Sequence, residues 1–171
     1  MKTVLRIALG SFVSLIVLLG VVFIGARFAD GPLEIIAGGP FSSGELVTGP
    51  EPDWAFAHDL REVEFQLVDP PRSRTTWILE HAGRIYIPCG YMTSTLGKIW
   101  KQWPIEALND GRAILRIDDK LYERDLVRIE EGRLLEPLTA ELSRKYAGGA
   151  DIGPAAVTSG SLWLFELAPR S

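Results

Sequence analysis

The chain has 171 residues, 18 basic and 22 acidic side chains and a formal charge of −4, with no concentrated basic run, so the electrostatic footprint of a nucleic-acid binder is missing. Its one cysteine, Cys89, excludes an intrachain disulfide. Two histidines, His58 and His81, stand far apart without cysteines at ligand spacing, so no metal site is expected.

The first predicted element is an apolar run without a charge over residues 7–26. At about 1.5 Å per residue a helix of that length spans roughly 30 Å, the hydrocarbon thickness of a bilayer. Lys2 and Arg6 precede the run, whereas Arg27 is followed by Asp30 and Glu34. The positive-inside rule therefore predicts a cytoplasmic N-terminus and an exported remainder. A cleaved signal has a shorter apolar region, about 7 to 15 residues, with small residues before the cut. Here Ile24-Gly25-Ala26 places a bulky residue where a small one is preferred. The expectation is a single-pass membrane protein with a cytoplasmic stub and uncleaved anchor over residues 1–29.

Residues 30–53 are rich in Gly, Pro and Ser and read as an extended connector. Leu33, Ile35, Ile36 and Phe41 are too apolar for a purely solvated tether, so part of the connector is expected against the domain or the membrane surface. Residues 54–171 are enough for one globular domain around a single core. That domain begins with residues 54–60, WAFAHDL, a short amphipathic piece compatible with helix or loop.

Alternation starts at Arg61: Val63, Phe65 and Leu67 fall on one face and Glu62, Glu64 and Gln66 on the other, the period of a half-buried strand. Asp69-Pro70-Pro71 ends it. A second strand over residues 74–80 meets a third over 84–89 through His81-Ala82-Gly83, and the three are expected to form a meander. A helix over 104–109 opens with Pro104 and stops before Asp110-Gly111. Residues 112–117 and 121–129 make another hairpin around Asp118-Asp119-Lys120. A second helix over 136–146 sets Leu138 and Leu142 on one face and stops at Gly148-Gly149. Residues 161–168, SLWLFELA, form the last strand. The predicted fold is α+β, a small antiparallel β-barrel with two helices packed outside it.

Several segments carry a resemblance. Arg72-Ser73-Arg74-Thr75-Thr76 enters a strand, the hairpin WILEHAGRIYI follows, then KIWKQWPIEALNDGRAILRIDDKLYERDLVRI, and LWLFEL closes the chain. From about Glu62 to Pro169 this order resembles the split β-barrel family of flavin and deazaflavin binders. That family includes the pyridoxamine-phosphate-oxidase-like proteins and, closer, the deazaflavin-dependent nitroreductases, where a similar Arg-Thr-Thr precedes a strand. A similar tryptophan, helix and Asn-to-Arg run there precedes paired strands with a Lys-x-Tyr turn.

The resemblance implies a split barrel binding FMN or a deazaflavin, its ring against the barrel and its phosphate tail held near the second strand and after the third. A partly buried phosphate needs Arg forks, Lys charge, hydroxyls and free amides. Arg72, Arg74, Thr75 and Thr76 are the candidates on one side, and Thr93, Ser94, Thr95, Gly97, Lys98 and Lys101 on the other, with Gly97 opening the backbone to close approach. The loop over residues 90–97 is the best ligand-binding candidate. Asp69-Pro70-Pro71 stands where those members carry a glycine-containing basic stretch, and prolines have no amide to donate.

Other residues have plainer readings. Trp100 and Trp103 share a helical face, expected to be core or interface. Tyr86 and Tyr91 flank the candidate loop, as good strand formers do. Cys89 has no histidine next to it in sequence to make it a nucleophile. Arg144-Lys145 suits a helix C-terminus. No Gly-x-Ser-x-Gly elbow or HExxH motif is present. Two functional classes stay open: an anchored FMN- or deazaflavin-dependent, nitroreductase-like oxidoreductase, and a non-catalytic ligand- or partner-binding domain tethered to the membrane. Expected partners are the membrane, through the N-terminal helix, and either a second copy through the Trp100 and Trp103 face or a membrane protein.

Overall fold

The computed structural model of the chain describes residues 2–95, 97 and 101–170. Helix α1, Lys2–Ala26, contains the segment Thr3–Ala26, whose mean hydropathy of 2.8 and length suffice to cross a membrane; none of its most apolar window is buried against the protein. Val4, Phe12, Leu18 and Ile24 all point outward. By length and composition such a helix is a candidate membrane span.

The chain then turns back on itself. Arg27, Phe28 and Ala29 donate to the carbonyls of Ile24, Gly25 and Ala26 at 3.0–3.2 Å, closing the helix with a tight last turn. Gly39 N donates to Ala29 O at 3.1 Å and Gly38 N to Ser73 O at 2.9 Å. Arg116 bridges Asp30 at 3.0 Å and Glu64 at 2.6 Å, with its guanidinium over the Phe41 ring. Strand β1, Glu45–Leu46, pairs in parallel with Lys120 and Leu121. Much of the Gly/Pro/Ser-rich segment thus lies on the barrel.

Asp30 is the acid-sensitive stitch. The Ser43 hydroxyl first, then the Ser42 amide, then Arg116, bring its carboxyl down to about 2. A depressed carboxylate contributes stability that is present above its ordinary value of 3.8 and disappears as pH falls towards 2. Pepsin should therefore begin to cut within residues 40–50 as pH is lowered from about 4 to 2, ahead of barrel unfolding. Cleavage equally fast at both pH values would contradict this role.

Strands β2 (Glu62–Leu67), β3 (Ser73–Trp77), β4 (Leu79–His81), β5 (Arg84–Cys89), β6 (Arg112–Ile117), β7 (Lys120–Ile129) and β8 (Trp163–Pro169) form one sheet in the order β3-β2-β6-β7-β8-β5-β4. All pairs along that path are antiparallel. Its two edge strands, β3 and β4, are consecutive in the chain and separated by Ile78 alone. The sheet therefore curls until its edges are joined covalently, giving an α+β split barrel.

This corrects the expectation of one strand over residues 74–80 in a meander. The strand bends at Ile78, so β3 pairs with β2 while β4 pairs with β5 at the far end of the sheet. Ile78 is fully buried and its backbone groups leave the ladder. Helix α2 spans Trp103–Asn109 and helix α3 Leu135–Tyr146, and α3 supplies the partners of those backbone groups. Lys145 Nζ donates to Ile78 O at 2.8 Å and Ala57 O at 3.0 Å. The Tyr146 hydroxyl accepts from Ile78 N at 3.2 Å and reaches Arg61 O at 2.6 Å. Trp77 stacks flat on Tyr146 with centroids 4.4 Å apart.

Two cores share the sheet. Inside the barrel, Phe65, Ile85, Ile87, Leu115 and Phe165 pack together with Trp103 of α2. Outside it, Leu79, Tyr86 and Leu164 meet Leu135, Leu138 and Leu142 of α3 and Val157 of the short helix α4, Ala155–Thr158. β5 is buried on both faces, which is why its sequence reads as a continuous apolar run. Residues 54–58, open between helix and loop in the sequence, form a 3-10 turn capped by the Asp53 carboxylate, which accepts from Ala55 N at 2.9 Å.

Candidate functional site

Strand β3 carries its polar residues to the edge of the barrel, beside the start of α2 and the turn after α1. The three segments enclose a cleft of about 530 Å³. Arg27, Arg72, Arg74 and Lys101 bring cations to it, Glu106 is the one carboxylate among its described lining residues, and Phe23, Ile35 and Trp103 supply apolar wall. A second groove of about 370 Å³ continues from it past Thr75, Thr76, Trp77, Cys89 and Tyr91, sharing Ile35, Lys101 and Trp103.

Each cation has a different set of obligations. Arg72 donates from Nε to Gly38 O at 2.7 Å and from Nη2 to Ala37 O at 2.6 Å, so it holds the connector while lining the cleft. Arg74 lies over the Phe65 ring, with Nη1 3.3 Å from Arg72 O and Nη2 3.5 Å from Glu106 Oε2. These contacts are long for a guanidinium. Burial brings Arg74 down to about 10, offset in part by Glu106, so it stays cationic at neutral pH. Burial also lowers Arg72, and the nearby charge of Arg27 adds to the effect. Lys101 Nζ donates to Gly90 O at 3.2 Å beside the Tyr91 ring.

Cys89 is a packing group. Burial pushes its thiol up to about 11 against the opposing pull of Lys101 and Arg74, so it is neutral at pH 7. Its Sγ lies 3.5 Å from Met92 Sδ. A nucleophile needs the opposite environment.

Of the residues singled out in the sequence, Arg72, Arg74, Thr75, Thr76 and Lys101 come together along the cleft and its continuation. Thr93, Ser94, Thr95 and Gly97 do not line it. Their loop closes on itself: Ser94 Oγ donates to Tyr91 O at 2.8 Å and accepts from Gly97 N at 2.9 Å, and Lys101 N donates to Gly97 O at 2.8 Å. A Cβ on Gly97 would lie 2.0 Å from Tyr91 O, so glycine serves the tight turn of this loop. Lys98 and Trp100 lie outside the described residues. Trp103 packs edge-on against Phe65 at 4.9 Å and also borders the cleft.

Phe23, Arg27 and Glu106 escaped the sequence reading. Only Arg27 had a signal there, as the cation that ends the apolar run.

No family model matches the chain, and no curated protein matches it in sequence. Solved structures similar to it include the conserved hypothetical protein Rv2991 from Mycobacterium tuberculosis, 14% identical over 77% of this chain and 86% of that one, with a TM-score of 0.49. Another is a Listeria innocua protein whose name assigns it provisionally to pyridoxamine 5′-phosphate oxidase, 14% identical over 68% of this chain and 90% of that one, with a TM-score of 0.43. At this distance neither likeness speaks to the ligand of the cleft.

Proposed function

We propose that the chain is a membrane-anchored split barrel that binds a phosphate-bearing ligand in the cleft between β3 and α2. The observation that carries this reading is the convergence of Arg27, Arg72, Arg74 and Lys101, from three segments, on a cleft with Glu106 as the one carboxylate among its described lining residues. A desolvated guanidinium with only long contacts gains most from an anion that gives it short, charge-assisted hydrogen bonds. The anchor is uncleaved in this reading, with the N-terminus cytoplasmic and the barrel exported, on the strength of Lys2 and Arg6 before the span.

The finer form of the proposal is an FMN- or deazaflavin-dependent oxidoreductase of nitroreductase-like descent. The Arg-Ser-Arg-Thr-Thr run supports it, and so do the walls of Trp77, Tyr91 and Trp103 along the adjoining groove, suited to a flat ring. Such a cofactor supplies hydride or electron transfer, and the barrel orients it. Its phosphate would be held by side chains, since Pro70 lacks an amide and the Gly97 amide is taken by Ser94. A non-catalytic binding role is the second reading, favoured by Asp69-Pro70-Pro71, which offers no proline amide to a cofactor tail.

Calorimetric titration of the full chain in neutral detergent with FMN, a deazaflavin and inorganic pyrophosphate tests the proposal. At least one binds, and Arg74→Gln weakens it by about 1.5–3 kcal/mol, roughly tenfold to a hundredfold. A chain that takes up none of the three would end the reading, and a colourless complex with pyrophosphate alone would leave only its non-catalytic form.

A further inference from the structure

We infer that the phosphate in this cleft belongs to the headgroup of an anionic phospholipid drawn from the bilayer that holds α1, an inference that rests on the anion-binding reading above. Phe23, in the last turn of α1, and Arg27, in the turn that follows it, both line the cleft. Phe23 belongs to the apolar segment Thr3–Ala26 and Arg27 directly follows it. The charge-free run over residues 7–26 matches a hydrocarbon core of about 30 Å, so Arg27, directly after it, lies at headgroup depth. The cleft accordingly begins on greasy side chains at the bilayer and ends on guanidinium groups.

The mouth has matching chemistry. Ile35, which borders both the cleft and its continuation, is 82% exposed, and Phe28, in the turn after α1, is 85% exposed. Large apolar side chains so placed are costly in water and at home at the membrane interface. Free phosphate has the same use for Arg74 and Lys101 but none for Phe23 and Ile35. A volume of about 530 Å³ admits a headgroup and leaves acyl chains in the bilayer beside Phe23. The position is held: Asp30 and Arg116 tie the turn after α1 to β2 and β6, and Arg72 ties the Ala37 and Gly38 carbonyls to β3. Glu34 and Glu62 border the continuation and not the cleft, which keeps the anion at the arginine end.

The test is native mass spectrometry of the full chain released from micelles containing equal phosphatidylcholine and phosphatidylglycerol. One phosphatidylglycerol is retained over phosphatidylcholine by about tenfold or more, as charge-assisted hydrogen bonds require. Arg74→Gln and, as a second variant should the first fold poorly, Lys101→Gln abolish that preference. Phe28→Gln, a neutral change at an exposed position outside the cleft lining, lowers lipid retention while leaving pyrophosphate affinity within about twofold. Glycerophosphoglycerol, the same headgroup without acyl chains, binds at least about a hundredfold more weakly than the lipid.

Equal retention of the two lipids by a chain that still binds pyrophosphate would overturn the inference and leave the anion-binding reading standing. A lipid preference that survives in folded Arg74→Gln and Lys101→Gln chains would assign it to general surface attraction and overturn it too. Glycerophosphoglycerol binding as tightly as the lipid would make the source soluble. Loss of lipid, FMN, deazaflavin and pyrophosphate binding alike in the wild-type chain would remove both readings.

Discussion

Lys145→Met lowers the unfolding free energy of the barrel by about 3 kcal/mol, the loss of two hydrogen bonds from a charged donor to buried carbonyls. Lys145 is 7% exposed and donates to Ala57 O and Ile78 O. Methionine keeps most of the stem, so the effect isolates the missing donors from any cavity. The Ile78 carbonyl sits at the bend between β3 and β4, and the Tyr146 hydroxyl, 2.8 Å away, has one hydrogen to share between it and Arg61 O. For a chain of this size such a loss lowers Tm by about 6–12 °C, measured by thermal unfolding in neutral detergent. A shift within 2 °C, on the order of a surface substitution, would show that the bend holds without the latch.

The pH dependence of the same pair of proteins is a further check. Burial lowers the Lys145 pKa below 10.5, so the folded chain releases its proton before the unfolded chain does. Stability from this group then rises as pH climbs through that window towards 10.5 and falls as pH drops through the lowered value. The gap between wild type and Lys145→Met should therefore widen in mild alkali, since a neutral amine still donates to both carbonyls.

Gly38→Ala pries the connector off the barrel. A Cβ there would stand 1.7 Å from Gly31 O and 2.8 Å from Ser73 Oγ, and the first of these is backbone that no rotamer change can move. Relief requires the segment to shift, at a cost of about 1–3 kcal/mol, with loss of the bond from Gly38 N to Ser73 O. The same shift withdraws Ala37 and Gly38 from Arg72 and carries Ile35 and Ile36 away from the cleft they line. Ligand affinity drops by at least about tenfold while Tm falls less than in Lys145→Met, because the barrel's own ladders are untouched. Unchanged affinity in Gly38→Ala would mean that the connector is a bystander to the site.

These two positions also mark where local pattern stops being informative. The alternation of Val63, Phe65 and Leu67, the stripe of Leu138 and Leu142 and the turn of Asp118-Asp119 are short-range signals, and the elements they announce are present. Trp77, Ile78 and Leu79 form an unbroken apolar run that reads as one strand, so a bend that spends a single residue leaves no trace in it. The loop around Thr93 and Ser94 has the composition of a ligand-binding loop, yet the Ser94 hydroxyl and the Gly97 amide find partners within the loop. Arg144-Lys145 has the look of helix-end charge, but one of the two, Lys145, is buried as the latch.

Residue order alone was enough for the apolar span, the strand over 62–67 and the hairpin around Asp118-Asp119, because helix and strand periodicity and turn chemistry act between neighbours a few positions apart. Which strands became the two edges of the sheet, and that Phe23, Arg27, Arg74 and Glu106 would face one cleft, depended on contacts between segments far apart in the chain. Those contacts are selected by how buried backbone groups find partners once the sheet curls, a condition that no local stretch of sequence carries.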